Sequence, residues 1–210
     1  MNDRKAGEAA LHKLEFFYDL SSPWTYLAAS RVEALAEAAG ADLVWKPILV
    51  GGVFNAVNQE VYETRAAPDH PKYRHMGKDL ADCARYYGVA IKFRPSVFPV
   101  NSAAAMRGAF YAQDRGMIHR YNMIVGDTYW GRDRDIAQDD VLQGIAGEAG
   151  FDTAEFMAAV RDPELKARLR ANTDELIARN GFGSPTMFVD GTDMYFGNDR
   201  MFLVEAALRR

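Results

Sequence analysis

Ser22-Pro23-Trp24-Thr25 stands behind a short aromatic run, Leu14-Glu15-Phe16-Phe17-Tyr18, and before a helical pattern, Leu27, Val32, Leu35, Ala36 and Ala39. Serine followed by proline is how helices commonly start. The hydroxyl caps free N–H groups, and proline occupies the first turn, where its missing N–H costs nothing. On that reading Ser22 is a cap and nothing more. The same position can also do chemistry. A helix N-terminus presents unpaired N–H donors and a positive dipole end, and the Ser22 hydroxyl adds another donor. Such a place suits a thiolate. A thiol with a pKa near 8.5 is only about 3% ionised at neutral pH, and about 2.7 kcal/mol of preferential stabilisation lowers that pKa by about two units. The chain has a single cysteine, Cys83. A thiolate at Ser22 would therefore come from another molecule.

Two further stretches could hold that molecule. Gly183-Ser184-Pro185-Thr186 leads into the apolar run Thr186-Met187-Phe188-Val189. Pro185 is either an ordinary loop proline or one, commonly cis at such a strand entrance, that turns the backbone of Ser184 toward a peptide-like ligand. Gly197-Asn198-Asp199-Arg200 precedes a last helical pattern, Met201, Val204, Ala207 and Leu208. Asp199 is either an N-cap or the partner of an α-amino group whose carboxylate lies on the free N–H groups. An amino-acid zwitterion would satisfy both. Trp24, Phe54, Tyr129 and Trp130 could wall an apolar pocket or simply fill a core. Lys72 and Asn58 fall in or beside a loop, and Asn101 is either a helix cap or a polar group of the cleft. No metal site is expected: His12, His70, His75 and His119 lack ligand spacing, and Asp133-Arg134-Asp135 lacks the glycine and glutamate of a calcium loop. Cys83 lies in a helical apolar stripe and reads as inert core.

These residues need elements to position them. Leu14–Tyr18, the helix after Ser22 and a strand over Asp42–Leu49 form a βαβ unit, with Pro47 placing the second strand at a sheet edge. Gly40 is placed to stop the helix. From about Gly51 to Asn180 the helical period dominates, interrupted by an extended piece at Ala90–Phe93. Ser102 could cap one of these helices, and Gly88 closes another. The end reads as two short strands around Asp190-Gly191, a hairpin turn, then a helix. The order is βαβ, a helical block, then ββα. That is the thioredoxin order with a large insertion, predicting that residues near 14–50 and 181–210 share one sheet. In that fold Ser22 and Thr25 stand where a Cys-x-x-Cys pair would sit, so dithiol exchange is excluded.

Composition excludes other classes. The chain has 210 residues, 49% of them hydrophobic, and a formal net charge of −4. A nucleic-acid binder would show a basic excess. The single cysteine points to a reducing compartment, and no signal peptide or membrane span is read, so a cytoplasmic protein is expected.

Phe16-Phe17-Tyr18-Asp19-Leu20-Ser21-Ser22-Pro23-Trp24-Thr25-Tyr26-Leu27 resembles the opening of the 2-hydroxychromene-2-carboxylate isomerases and of the related kappa-class glutathione transferases. The likeness continues through Pro47–Phe54, Asn58-Gln59, Gly131–Ile136, Phe182–Thr186 and Phe196–Arg200. It implies an α/β thioredoxin-like fold with a large helical insertion: residues 12–52 and 176–210 as one discontinuous domain and 53–175 as the insertion. It also implies bound glutathione. Ser22 matches the catalytic serine. Pro23, Trp24, Asn58, Ser184, Pro185, Asn198 and Asp199 match glutathione-binding positions, with Ser184 at the cysteinyl backbone and Asn198 and Asp199 at the γ-glutamyl end. Phe54, Lys72 and Asn101 match the substrate side. The implied substrate is a small aromatic carboxylate, and a homodimer is the assembly to test. Trp24 and Thr25 depart from the Ser-Pro-Phe-Ser and Ser-Pro-Tyr-Ser of many members. A kappa-like transferase or peroxidase, and a non-catalytic glutathione-binding protein, are the rival readings.

Overall fold

The computed structural model describes residues 11–66 and 70–210, apart from the side chains of residues 64–66, 72 and 73. Its centre is a four-stranded sheet drawn from both ends of the chain. β1 (Lys13–Tyr18) and β2 (Asp42–Pro47) come from the first, β3 (Thr186–Val189) and β4 (Asp193–Phe196) from the second. The spatial order is β2-β1-β3-β4, with β1 and β2 parallel and the other pairs antiparallel. Phe16 faces Trp45 on one side and Met187 on the other. Pro47 ends the edge strand, where its missing N–H leaves the ladder intact.

Parallel neighbours need a crossover, and α1 (Pro23–Ala39) supplies it. The Ser22 hydroxyl caps its start, and Gly40, at φ 63°, ends it with its N–H on the Ala36 and Glu37 carbonyls. The β3–β4 turn runs through Asp190 and Gly191 at φ 50° and 78°, the left-handed region that Asp-Gly tolerates.

Helices fill the chain between β2 and β3: α2 (Val50–Val57), α3 (Glu60–Ala66), α4 (Pro71–Tyr87), α5 (Ala103–Gln113), α6 (Ile118–Gly126), α7 (Asp139–Ala149), α8 (Thr153–Ala159) and α9 (Pro163–Ala178). α10 (Met201–Ala207) follows β4. One buried cluster runs from Leu14 and Phe16 of the sheet through Val32 of α1 to Phe110, Tyr121 and Phe156 of α5, α6 and α8. No helix among the described residues is long and apolar enough to cross a membrane.

Five local expectations need correction. Ala90–Phe93 joins no strand; instead the Lys92 N–H donates to the Trp130 carbonyl at 2.6 Å. Trp130 belongs to a π-helical turn, Asp127–Gly131, which a 3.6-residue period does not reveal. Asn58 is the last cap of α2, and Lys72 lies inside the first turn of α4. Asn198–Arg200 form a single 3₁₀ turn before α10, so Asp199 does not open an α-helix. Ser102 precedes α5 but makes no capping bond, because its hydroxyl is turned to Asp19.

Candidate functional site

The end of β1 and the start of α1 are joined by Asp19, Leu20, Ser21 and Ser22, and every part of that turn is bonded. The Asp19 side chain is fully buried. Its carboxylate accepts from the N–H groups of Ser21 and Val50, both at 2.9 Å, and from the Ser102 hydroxyl at 3.0 Å. It thereby ties α1, α2 and α5 together at their N-terminal ends, where positive partial charge gathers. Burial raises its pKa above the usual carboxylate range, and those donors oppose the rise. The Trp130 indole donates to the Leu20 carbonyl at 2.8 Å. Sequence reading passed over Asp19. An acid after a buried strand looks like a turn residue, and its partners lie 31 and 83 positions away.

Ser22 sits at the end of this frame. Its Oγ accepts from the Thr25 N–H at 3.4 Å and donates to the Ser184 carbonyl at 3.3 Å, both long contacts. So Ser22 is a cap, and its one hydroxyl proton rests on a weak acceptor. Thr25, the second hydroxyl of the motif, is fully buried. It meets the Ser184 Oγ at 2.7 Å, and the Asp19 N–H donates to that same Oγ at 2.9 Å. Thr25 therefore fixes Ser184. The Ser184–Pro185 bond is cis, and the Ser184 N–H meets no partner among the described residues.

Two cavities open here. The first, about 260 Å³, is lined by Ser22 with Pro23 and Trp24 at the α1 start, Phe54 of α2 and its cap Asn58, Met76 of α4, and Phe93, Phe98, Ser184 and Phe196. The second, about 250 Å³, is lined by Asp79, Cys83, Pro185, Gly197, Asn198 and Asp199. Trp24, Ser184 and Phe196 line both and form the wall between them. Tertiary structure thus gathers Ser22, Pro23, Trp24, Phe54, Asn58 and Ser184 in one chamber and Pro185, Asn198 and Asp199 in the other.

The remaining polar groups are specifically occupied. The Asn58 Nδ2 donates to the Phe182 carbonyl at 2.9 Å. Asn198 is buried, and its carbonyl and Oδ1 both accept from Arg31 Nη2 at 3.2 Å. Arg31 in turn stacks on Tyr87, 3.7 Å from the ring centroid. Asp199 is exposed beside Asp79 on the same cavity, and it pairs with Arg200 at 2.8 Å. Asn101 lines neither cavity; its Oδ1 accepts from the Ala103 N–H at 3.1 Å. The Lys72 side chain lies outside the described residues. Cys83 is half-buried: it packs against the Leu27, Leu80 and Ala84 cluster and also lines the second cavity. Burial, with Asp79 beside it, pushes its thiol pKa up, so it stays protonated. No group of three or more His, Cys, Asp or Glu is placed for a metal among the described residues.

Residues 13–209 match the DSBA-like thioredoxin domain. The chain belongs to that family. Within the family it is similar to the 2-hydroxychromene-2-carboxylate isomerase of Pseudomonas putida, 30% identical over 201 residues that cover 94% of each chain. It is also similar to glutathione S-transferase kappa 1 of Rattus norvegicus, 26% identical over 91% of this chain and 88% of that one. Among solved structures, a 2-hydroxychromene-2-carboxylate isomerase superposes with a TM-score of 0.78 at 26% identity, over 93% of this chain and 94% of that one. In this DSBA-like chain the α1 start carries Ser22 and Thr25, so no dithiol pair can form there.

Proposed function

We propose that this chain is a glutathione-dependent cis–trans isomerase of aromatic acids of the 2-hydroxychromene-2-carboxylate type. The observation that carries the reading is the Ser22 hydroxyl at the α1 N-terminus, facing an aromatic-walled cavity that has no cysteine of its own. The likeness to isomerases of that name supports it. The second cavity fits the rest of glutathione. Two carboxylates, Asp79 and Asp199, suit an α-ammonium, and the unpartnered Ser184 N–H suits a cysteinyl carbonyl.

Opening the cyclic hemiketal acid leaves a phenol and an unsaturated 2-oxo acid whose double bond is still cis. Rotation requires that bond to become single for a moment. Bound glutathione supplies the thiolate whose reversible addition to a conjugated double bond permits this. Ser22 holds that sulfur ionised by turning its O–H from the Ser184 carbonyl to the incoming anion, a charge-assisted bond stronger than the one it replaces. The free N–H groups of the first α1 turn add to it. Trp24, Phe54, Phe93 and Phe98 exclude water and hold the aromatic ring. Asn198, fixed by Arg31, and Asp199 hold the γ-glutamyl end.

The deciding experiment incubates purified protein with 2-hydroxychromene-2-carboxylate, with and without glutathione. The expected result is isomerisation that requires glutathione and does not consume it. A conjugate that accumulates would replace this reading with a kappa-like transferase. Glutathione binding without turnover of any electrophile would replace it with a binding protein.

A further inference from the structure

The main cavity has walls that are aromatic, aliphatic or neutral and polar, and no charged side chain lines it among the described residues. An aromatic acid entering it would strip water from its carboxylate against walls that offer neutral donors but no counter-charge, and a buried charge without one is costly. The anion must therefore be met at the rim.

One described cation stands against that wall. Arg94 follows Phe93 in the chain, and its guanidinium lies over the Phe98 ring, 4.9 Å from the centroid. Phe93 and Phe98 both line the cavity and contact each other edge to face, with centroids 6.0 Å apart. Arg94 is exposed and forms no ion pair among the described residues, whereas its neighbour Lys92 is held by Asp133. A guanidinium lying on an aromatic face keeps its N–H groups free at the edge, in a fork that matches a carboxylate.

We infer that Arg94 is the specificity-determining residue of the main cavity: it takes the carboxylate of the aromatic acid at the rim while the substrate's ring packs against Phe93 and Phe98. This rests on the aromatic-acid reading given above and adds the group that selects an acid over a neutral analogue.

The test titrates coumarin-3-carboxylate and its ethyl ester, a two-ring acid and its uncharged form, into wild type, Arg94→Gln, Arg94→Lys and Lys72→Gln. Wild type is expected to bind the acid about tenfold more tightly than the ester, as one charge-assisted pair allows. Arg94→Gln should abolish that preference by weakening the acid alone. The ester affinity should stay within about twofold, which also reports an intact cavity. Arg94→Lys should keep part of the preference, since lysine offers charge without the fork. An acid preference that survives Arg94→Gln, or one that Lys72→Gln removes instead, overturns the assignment. If such a protein still isomerises 2-hydroxychromene-2-carboxylate, only the role of Arg94 has failed. A wild type with neither acid preference nor turnover overturns both readings.

Discussion

The two helix starts that flank Ser184-Pro185 are built differently. α1 runs for 17 residues, opens on a capped proline, and rests on a turn that Asp19, Trp130 and Ser184 all bond. α10 runs for seven, behind a single 3₁₀ turn, with no capping side chain. Asn198 is held there by Arg31 reaching across from α1. At α1, backbone N–H groups and a hydroxyl favour negative charge. At Asn198 and Asp199 the cavity is edged by the carboxylates of Asp79 and Asp199, with Arg200 paired to Asp199 and Arg31 to Asn198. The wall of Trp24, Ser184 and Phe196 therefore stands between a helix start built from backbone donors and a cavity edged by carboxylate side chains. On the glutathione reading proposed above, the thiolate would lie at the helix start and the ammonium at the carboxylates.

Four substitutions test this contrast. Asp19→Asn strikes the frame that only the α1 end possesses. Its NH₂ group faces either the Ser21 N–H or, in the other orientation, the Val50 N–H together with the Ser102 hydroxyl, an unmet bond at a fully buried side chain. Loss of about 2–3 kcal/mol is expected, seen as a melting point lower by roughly 4–12 °C. An unchanged melting point would mean that the turn does not depend on this carboxylate.

Ser22→Ala removes the hydroxyl and leaves the helix. One hydrogen bond to an anion is worth about 1.5–3 kcal/mol, so the bound thiol's pKa should rise by about one to two units. Turnover near neutral pH should fall roughly 10–100-fold, with a smaller change in glutathione affinity. The sign is fixed by the active form. Because thiolate does the work, a higher thiol pKa moves the acidic limb of the pH–rate profile upward, and activity returns as pH rises. If thiolate absorbance and profile match wild type, Ser22 is only a cap.

Asp199→Ala addresses the opposite end and should show the converse split. Glutathione affinity measured by calorimetry should weaken by about tenfold while the thiol pKa stays put. Equal affinities for the two proteins would remove the γ-glutamyl end from this position. Arg31→Ala is the mildest. It releases Asn198 without touching the second cavity's carboxylates, and glutathione affinity should drop by about threefold with little change in the turnover of saturated enzyme. A change in turnover of that size with unchanged affinity would show that Arg31 acts through α1 instead.

Much of this molecule is legible in its residues because local rules set it. The Ser22-Pro23 start, the Gly40 stop, the Asp190-Gly191 turn and the edge position marked by Pro47 follow from capping, left-handed backbone and missing donors, each decided within a few residues. The order of strands and helices then left the thioredoxin arrangement as the consistent fold, and it brought Ser22 and Ser184 face to face. The sequence could not show where long-range partners would fall. Asp19 became a buried hub only because α2 and α5 deliver Val50 and Ser102 to it. Thr25, read as a companion of Ser22, instead points inward to lock Ser184. Cys83 kept its helical stripe, and the packing of α4 against α1 left it at the margin of an apolar cluster, where it also lines a cavity. Asn101 kept its place before α5 and turned its side chain to the Ala103 N–H. Periodicity names the face of a helix that is apolar, but what meets that face is decided by elements far along the chain. The division of this region into two cavities, with the α1 start on one and two carboxylates on the other, was therefore settled by tertiary structure alone.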